Sequence, residues 1–261
     1  MLTSIKEKIN NTKLSLSPFP HLVIKSFLPV SKLRKLNQIL PNYSAIDDDN
    51  VIFQSSSKTK KTVMPDSKIF KKLIKKKIFN EVNNNLKKIR PFIIKKFEKE
   101  IIKNVNPKFL KSKIKYNMNF AMMKNGYLKS AHLDRRDHLI SGIYYPTSKE
   151  NQGGNLQMYK PKTNKNNFDV FPSKKKLKIV KNYKIKENFC VFFLNVPWAY
   201  HGVSRYNGRT DRKYFYIDYD FKSKVSSSKS KNRAQGFNQN PYWQKSVSVK
   251  NINRRKKFFS E

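Results

Sequence analysis

The amino-acid sequence predicts a mainly β fold with helices at its N-terminal end. Apolar residues recur at helical spacing between residues 69 and 102, whereas from residue 113 onward they alternate with polar or small residues, as in half-buried strands. Turn-forming glycine, asparagine and proline residues then separate several short strand-like segments, which is typical of a β-sandwich or β-barrel. We therefore expect a β-barrel buttressed by α-helices.

The composition is that of a folded domain. The 261 residues are 38% apolar and 13% aromatic, which is enough for one sizeable core. The single cysteine, Cys190, lies in the apolar run 189–194 and is expected to be a buried thiol. No apolar segment follows the lysine-rich N-terminus, and no stretch approaches about 20 apolar residues, so we expect a cytoplasmic protein without a membrane span.

The first predicted elements are an extended segment and a short helix. Residues 18–30 begin with a proline turn and continue as an apolar extended stretch. Ser31 is expected to cap a helix that carries Leu33, Leu36 and Leu40 on one face.

Two longer helical patterns follow. Pro-Asp-Ser at residues 65–67 is a helix start, and apolar positions at helical spacing continue over residues 69–86. Pro91 interrupts this pattern, and a second helix is expected over residues 94–102. Lysines occupy the opposite faces, so we interpret both as amphipathic helices with a solvated face and not as nucleic-acid-binding arms.

The predicted strands all lie after residue 113. They are residues 114–122, 139–145, 155–159, 178–180, 189–194 and 213–221. Residues 222–235 are almost devoid of apolar side chains, as in a disordered linker. We therefore expect one domain over residues 1–221, with a helical part at 1–110 and a β-barrel at 111–221, followed by a basic, flexible tail at 222–261.

The formal charge of +40 arises from 57 Lys and Arg residues against 17 Asp and Glu residues. Such a charge favours anionic surroundings and permits nonspecific binding of nucleic acid. Because lysine is spread along the chain, a solvated basic surface without a dedicated partner is the simpler interpretation. The Lys- and Asn-rich loop 160–177 suggests a polar or anionic substrate.

His132 and Asp134 are candidate metal ligands at the end of an expected strand. Side chains two residues apart in an extended segment point to the same side, so the imidazole and the carboxylate can reach one ion while Leu133 faces away. A histidine from a distant strand would complete the two-histidine, one-carboxylate set that holds iron(II) on one face and leaves other positions open. A His-x-Asp pattern alone is common, so its weight depends on this third ligand.

Of the four histidines, His201 is the preferred third ligand. It follows the apolar strand 189–194 and a turn, and Gly202 after it permits close backbone approach. His138 lies beside Asp137 in an expected loop, and His21 in the N-terminal extended segment is expected to be structural.

Six segments in order resemble the 2-oxoglutarate and iron(II)-dependent oxygenase superfamily, in particular its prolyl 4-hydroxylase-like branch. They are His132-Leu-Asp134, 140–146, 153–156, 192–195, His201-Gly-Val203 and 212–216, all within residues 114–221. The resemblance implies a double-stranded β-helix (jelly roll) with helices outside one sheet. It also implies hydroxylation of a C–H bond with iron(II), 2-oxoglutarate as cosubstrate and O2.

The resemblance further implies a buried cation for the far carboxylate of 2-oxoglutarate. Arg212 is preferred because it opens the last strand, where it would share an inward face with Tyr214 and Tyr216, and because an arginine fork matches a carboxylate. Arg209, at an Asn-Gly turn, is expected to be solvated. Tyr145 is either a second contact of this carboxylate or an ordinary core tyrosine.

The resemblance leaves the substrate open among a polar small molecule, an amino acid, a glycan and a protein side chain. Asp134 favours hydroxylation, since halogenating members of the superfamily carry a small residue in its place. One alternative is a nucleic-acid demethylase, but the arginine pair six residues apart that typifies those enzymes does not occur after His201. The other is a non-catalytic jelly-roll binding module, against which the three ligands and Arg212 argue together.

Overall fold

The computed structural model describes residues 1–46, 59–135, 137–148, 151–162, 172–222 and Trp243. Within them the chain forms two antiparallel sheets with helices packed around them. The inner faces of the sheets meet, as the 4.6 Å separation between the ring centroids of Phe193 in the larger sheet and His201 in the smaller sheet shows. The predicted β-barrel with N-terminal helices is therefore confirmed.

The helices lie almost entirely before the barrel. They are α1 (Leu2–Asn11), α2 (Val30–Ile39), α3 (Lys68–Ile74), α4 (Lys77–Lys88), α5 (Arg90–Lys96), α6 (Glu98–Asn104) and α7 (Pro107–Leu110). The predicted start at Ser67 is confirmed, because its side chain caps α3 by accepting a hydrogen bond from the Phe70 backbone N–H at 3.1 Å.

Other helix boundaries differ from the prediction. Ser31 is not a cap, since α2 begins one residue earlier, directly after Pro29. The continuous pattern over residues 69–86 is divided into α3 and α4, and Phe97 likewise separates α5 from α6. Pro91 lies in the first turn of α5, where the missing N–H has no helical acceptor to lose. Apolar periodicity continues across such breaks because both helices bury the same side.

Six of the ten described strands confirm the predicted segments to within a few residues. The ten strands are β1 (His21–Ile24), β2 (Lys60–Val63), β3 (Ile114–Met123), β4 (Lys129–His132), β5 (His138–Tyr145), β6 (Leu156–Pro161), β7 (Leu177–Tyr183), β8 (Phe189–Leu194), β9 (His201–Val203) and β10 (Arg212–Phe221). The larger sheet has the order β1-β8-β5-β10-β3-β2 and the smaller sheet β4-β9-β6-β7.

Strand β10 lies in the middle of the larger sheet and divides its side chains between two environments. Tyr219, on the outer face, donates a hydrogen bond from Oη to the Leu86 carbonyl oxygen of α4 at 2.8 Å. Lys213 also points outward, but it is buried and donates from Nζ to the Leu40 carbonyl oxygen at 2.8 Å. Even-numbered residues from Arg212 onward therefore face the barrel interior.

The predicted C-terminal tail falls mostly outside the described residues. Trp243 is described: it is 7% exposed and forms an isolated β-bridge with Val105. Most of the Lys- and Asn-rich loop, residues 163–171, also lies outside the described part. None of the described helices is long and apolar enough to cross a membrane.

Candidate active site

Two histidines face each other across the strand pair β4 and β9. The strands are antiparallel, and His132 and His201 are register partners. Opposed residues of an antiparallel pair place their side chains close together on one face. The two imidazole centroids are accordingly 4.4 Å apart.

Both imidazoles are oriented by their Nδ1 atoms. His132 Nδ1 lies 2.9 Å from the Ser130 carbonyl oxygen, and His201 Nδ1 lies 3.0 Å from the Ala199 carbonyl oxygen. A carbonyl oxygen only accepts, so each Nδ1 carries a proton and donates it, which leaves Nε2 as the ring atom that presents a lone pair when the imidazole is neutral. This arrangement fixes the tautomer and the ring orientation that an Nε2 metal ligand requires.

Asp134 completes the cluster. Its Oδ1 lies 3.5 Å from His201 Nε2 and 3.8 Å from His132 Nε2. One donor atom from each of the three residues lies within 4.8 Å of the other two. The structure thus brings together the three residues that the sequence nominated as metal ligands.

The electrostatic environment of the cluster suits a cation. Burial lowers the pKa of His132 to about 3, and His201 lowers it further while Asp134 opposes the shift. Burial would raise the pKa of Asp134, but His201 and His132 outweigh it and hold that pKa well below its usual range. The carboxylate is therefore ionised, and it in turn outweighs burial and raises the pKa of His201. When both imidazoles are neutral, their Nε2 atoms and this carboxylate form the donor set that non-haem iron(II) takes.

His138 is not a loop residue, contrary to the sequence-based expectation, but the buried first residue of β5. Its Nδ1 lies 2.5 Å from Asp220 Oδ1 and 3.9 Å from Asp218 Oδ1. Burial would lower its pKa, but the two carboxylates outweigh burial and raise the pKa of His138 to about 10. The imidazolium belongs to this ion pair and not to the cluster of His132, Asp134 and His201.

His21 is structural, as expected. It is fully buried, with Nδ1 2.7 Å from the Phe19 carbonyl oxygen and Nε2 2.6 Å from Tyr183 Oη. Both ring nitrogens are occupied, which leaves neither available as a ligand atom.

Arg212 opens β10 and is buried at one end of the barrel. Its Nη1 donates to the Gly154 carbonyl oxygen at 2.7 Å and its Nη2 to the Gly153 carbonyl oxygen at 3.0 Å. Its Nε is buried without a hydrogen-bond partner among the described residues. Arg209 is exposed, as predicted.

A cavity of about 210 Å³ lies beside Arg212. The other residues that line it are Asn151, Gly153, Asn155, Lys184, Ile185 and Lys186. Three cationic side chains at one cavity favour an anionic occupant. The two lysines were not nominated from the sequence, since nothing there places the turn before β8 next to Arg212.

Aromatic rings line the interior between the Arg212 end and the metal-ligand cluster. Tyr145 lies 5.7 Å from Tyr214, and Tyr214 lies 5.2 Å from Tyr216, between ring centroids. Burial raises the pKa of Tyr145, which keeps its hydroxyl protonated, and Arg212 opposes the shift. Lys60 of β2 reaches Tyr216 Oη with its Nζ at 3.0 Å. Burial lowers the pKa of this lysine to about 7, with Lys129 adding to the shift and Asp134 opposing it.

The sequence contains one signal that would have identified Asp218 and Asp220 as residues of the barrel interior. The two-residue alternation that puts Arg212, Tyr214 and Tyr216 on the inner face continues to Asp218 and Asp220. Charged residues at inward positions of a barrel strand need a partner or a function. Lys60 had no comparable signal, because four residues are too few to show a period.

Comparisons with known proteins support the fold and leave the reaction open. No family model matches the chain, and no curated protein matches it in sequence. A prolyl-4-hydroxylase from Pseudomonas putida resembles it in structure, with 15% sequence identity, a TM-score of 0.53, and coverage of 85% of this chain and 99% of that one.

Two further solved structures resemble the chain less closely, and their TM-scores are too low to support an argument about function. A viral collagen prolyl hydroxylase from Paramecium Bursaria Chlorella virus-1, in complex with 2-oxoglutarate, is 15% identical, with a TM-score of 0.45 and coverage of 78% and 96%. A Streptomyces hygroscopicus protein with nickel and 2-oxoglutarate bound is 10% identical, with a TM-score of 0.47 and coverage of 77% and 83%. The chain therefore has the fold of the Pseudomonas prolyl-4-hydroxylase, and the predicted double-stranded β-helix is confirmed.

Proposed function

We propose that the chain is an iron(II)- and 2-oxoglutarate-dependent dioxygenase that hydroxylates a C–H bond. The observation that carries this proposal is the convergence of His132 Nε2, His201 Nε2 and the Asp134 carboxylate, with both Nδ1 atoms already donating to backbone carbonyls. When bound, iron(II) with 2-oxoglutarate and O2 supplies the chemistry that converts C–H to C–OH and releases succinate and CO2. The ionised Asp134 occupies the place that a halide would need, which favours hydroxylation.

Arg212 and Tyr145 are the proposed contacts of the far carboxylate of 2-oxoglutarate. The unpartnered Nε of Arg212 supports this role, because a buried donor without an acceptor is costly and a carboxylate would satisfy it. Tyr145 Oη, kept protonated by burial, would donate a second hydrogen bond. Lys184 and Lys186 add positive charge at the adjoining cavity.

We also propose a substrate class, a domain organisation, a location and two kinds of partner. The substrate is a small molecule or a side chain, and the single domain spans residues 1–221 with a basic tail at 222–261. A cytoplasmic location is supported by the lone, fully buried thiol of Cys190. Nonspecific binding of nucleic acid, and attraction of an anionic partner to the outer surface, are supported by the charge of +40.

The test compares two carboxylates of the same loop. Asp134→Asn is expected to lower succinate formation from 2-oxoglutarate and O2 in the presence of iron(II) by at least about 100-fold. It is also expected to weaken manganese(II) binding in calorimetry, because it removes a charged ligand. Asp137→Asn is the matched control, since Asp137 pairs with Arg135 at 2.5 Å, where the arginine is half exposed. It is expected to leave both readouts unchanged. Equal manganese(II) affinity in the wild type and Asp134→Asn would refute the proposal.

A further inference from the structure

The barrel interior beyond the metal-ligand cluster is acidic, although the chain as a whole is strongly basic. Asp218 and Asp220 lie at the end of β10 opposite to Arg212, on the inner face. Asp134 stands close enough to both His138 and Asp218 to shift their pKa values. These carboxylates therefore differ in sign from the lysines that cover the surface.

The two carboxylates of β10 have different partners. Asp220 Oδ1 lies 2.5 Å from His138 Nδ1, and Asp220 Oδ2 accepts a hydrogen bond from Asn117 Nδ2 at 2.5 Å. Asp218 lies 3.9 Å from His138 Nδ1, which is too long for a hydrogen bond. His138 is thus the counter-ion that Asp220 and Asp218 share, and within the described part of the chain the Asp218 carboxylate receives no hydrogen bond. Its side chain is 14% exposed, so a ligand in the barrel can reach it.

Ser141 gives an independent indication of a ligand beside Asp218. It is the register partner of Asp218 on β5, and it shares the inner face with Tyr145. The residue is 3% exposed, and its Oγ is buried without a hydrogen-bond partner among the described residues. Buried hydroxyl groups in folded proteins are normally paired, so a free one that faces the interior points to a missing polar group.

We propose that Asp218 and Ser141 bind a cationic nitrogen of the substrate, an ammonium or a guanidinium group. The carboxylate supplies the charge and accepts a charge-assisted hydrogen bond, and Ser141 Oγ accepts a second N–H. The proposal rests on the proposed function and names its substrate class. The bound nitrogen would hold a neighbouring C–H bond of the substrate near the metal-ligand cluster. The cation comes either from a free basic metabolite or from a lysine or arginine side chain of a peptide.

The electrostatics of Asp218 support this assignment. Burial raises its pKa to about 7, Asp220 and Asp134 raise it further, and His138 and Arg135 oppose the shift. A bound cation would stabilise the ionised form of Asp218, which burial and two nearby carboxylates disfavour. The sequence-based expectation of a polar or anionic substrate came from the loop 160–177, of which residues 163–171 lie outside the described part of the chain.

The test uses pairs of probes that differ in charge and little in shape. L-lysine is compared with norleucine, and L-arginine with citrulline. The same side chains within acetylated, amidated tripeptides form the second arm and distinguish a peptide source from a free one. Binding to the protein loaded with manganese(II) and 2-oxoglutarate is measured by calorimetry, and stimulation of succinate release is measured with iron(II). We expect the cationic member of at least one pair to bind about tenfold or more tightly than its neutral partner.

Variants assign that preference to the two residues. Asp218→Asn is expected to abolish it and Ser141→Ala to reduce it, whereas Asp137→Asn, the control from the surface loop, keeps it. Ser141→Ala also covers the case in which Asp218→Asn does not fold, as judged by circular dichroism. Equal affinity for charged and neutral probes, no binding of any probe, or a preference that survives Asp218→Asn would overturn the proposal.

The experiments distinguish a failure of the cation site from a failure of the proposed function. If manganese(II) and 2-oxoglutarate bind but charge makes no difference, only the cation site fails. If they do not bind, the proposed function fails, and the same titrations on the metal-free protein then show whether Asp218 still selects cations.

Discussion

Replacing His138 with glutamine is expected to destabilise the protein at neutral pH, and the loss is expected to shrink as the pH rises. The imidazolium is the cation of a buried pair, 2.5 Å from Asp220 and 3.9 Å from Asp218. Removing one partner of a buried ion pair leaves the other charge uncompensated, which costs about 3–5 kcal/mol. Here two carboxylates would lose their common counter-ion.

The pH dependence follows from the pKa of His138, which rises from 6.5 to about 10. Because the folded state binds this proton more tightly than the unfolded state, the stabilisation is complete below pH 6.5 and is lost as the pH approaches 10. Linkage gives a contribution of about 4 kcal/mol at pH 7 and about 1 kcal/mol at pH 9.5. The cost of His138→Gln should therefore fall by roughly 3 kcal/mol over that interval.

The assay is urea unfolding of the chelator-treated protein at both pH values, with the free energy of unfolding taken from the transition midpoint and slope. His21→Gln is the matched control, because His21 is equally buried but has no carboxylate partner and burial lowers its pKa. Folded and unfolded His21 are both neutral above pH 7, so its cost should be constant. The reasoning is refuted by a His138→Gln cost below about 1 kcal/mol at pH 7, or by equal costs at the two pH values.

Substitutions at two glycines, Gly202 and Gly154, test the geometry of the site. A Cβ at Gly202 would lie 2.6 Å from a β4 backbone carbonyl oxygen, so Gly202→Ala should separate β9 from β4 and weaken manganese(II) binding about tenfold or more in calorimetry. Gly142→Ala, whose Cβ meets a phenylalanine ring at 2.7 Å, should lower the melting temperature but leave metal affinity unchanged. A Cβ at Gly154 would lie 2.4 Å from Arg212 Nη1, so Gly154→Ala should raise the Kd of 2-oxoglutarate several-fold. Gly126→Ala controls for backbone strain, because the φ of Gly126 is also positive and a Cβ there would meet no atom closer than 3.6 Å. Equal effects of Gly202→Ala and Gly142→Ala on metal affinity, or of Gly154→Ala and Gly126→Ala on the Kd of 2-oxoglutarate, would contradict this reasoning.

The length of a strand decided whether it could be predicted from the sequence. Strands β3, β5, β8 and β10 have six to ten residues, and their apolar patterns were recognised. Strands β4 and β9 have four and three residues, which is too short to show a period. Neither was among the predicted strand segments, although His132 was expected at the end of a strand. Residue type and spacing nominated the two histidines, but only strand pairing shows that they are directly opposed.

Long-range contacts account for the remaining differences. His138 looked like a loop residue because the sequence around it is polar, and its partner Asp220 lies 82 positions away. Lys213 is a lysine on the outer face of the sheet, yet it is buried because its Nζ reaches the end of α2. In both cases the polar side chain is buried because a distant element supplies the matching hydrogen-bonding group. Local patterns do not contain that information.

The alternation along β10 orders the whole candidate site. Arg212 faces the interior at one end of the strand with Lys184 and Lys186 at the adjoining cavity, and Asp218 faces the interior towards the other end. Asp134 shifts the pKa values of both Tyr216 and Asp218, which places the metal-ligand cluster beside the middle of the strand. One strand therefore runs from a cationic subsite suited to a dicarboxylate, past the candidate metal ligands, to an acidic subsite suited to a cationic substrate. Because side chains alternate with a period of two, a register shift of one residue would turn all of these groups to the helix-covered face. The ten-residue pairing of β10 with β3 fixes that register, so the sheet that forms the core also sets the order of the subsites.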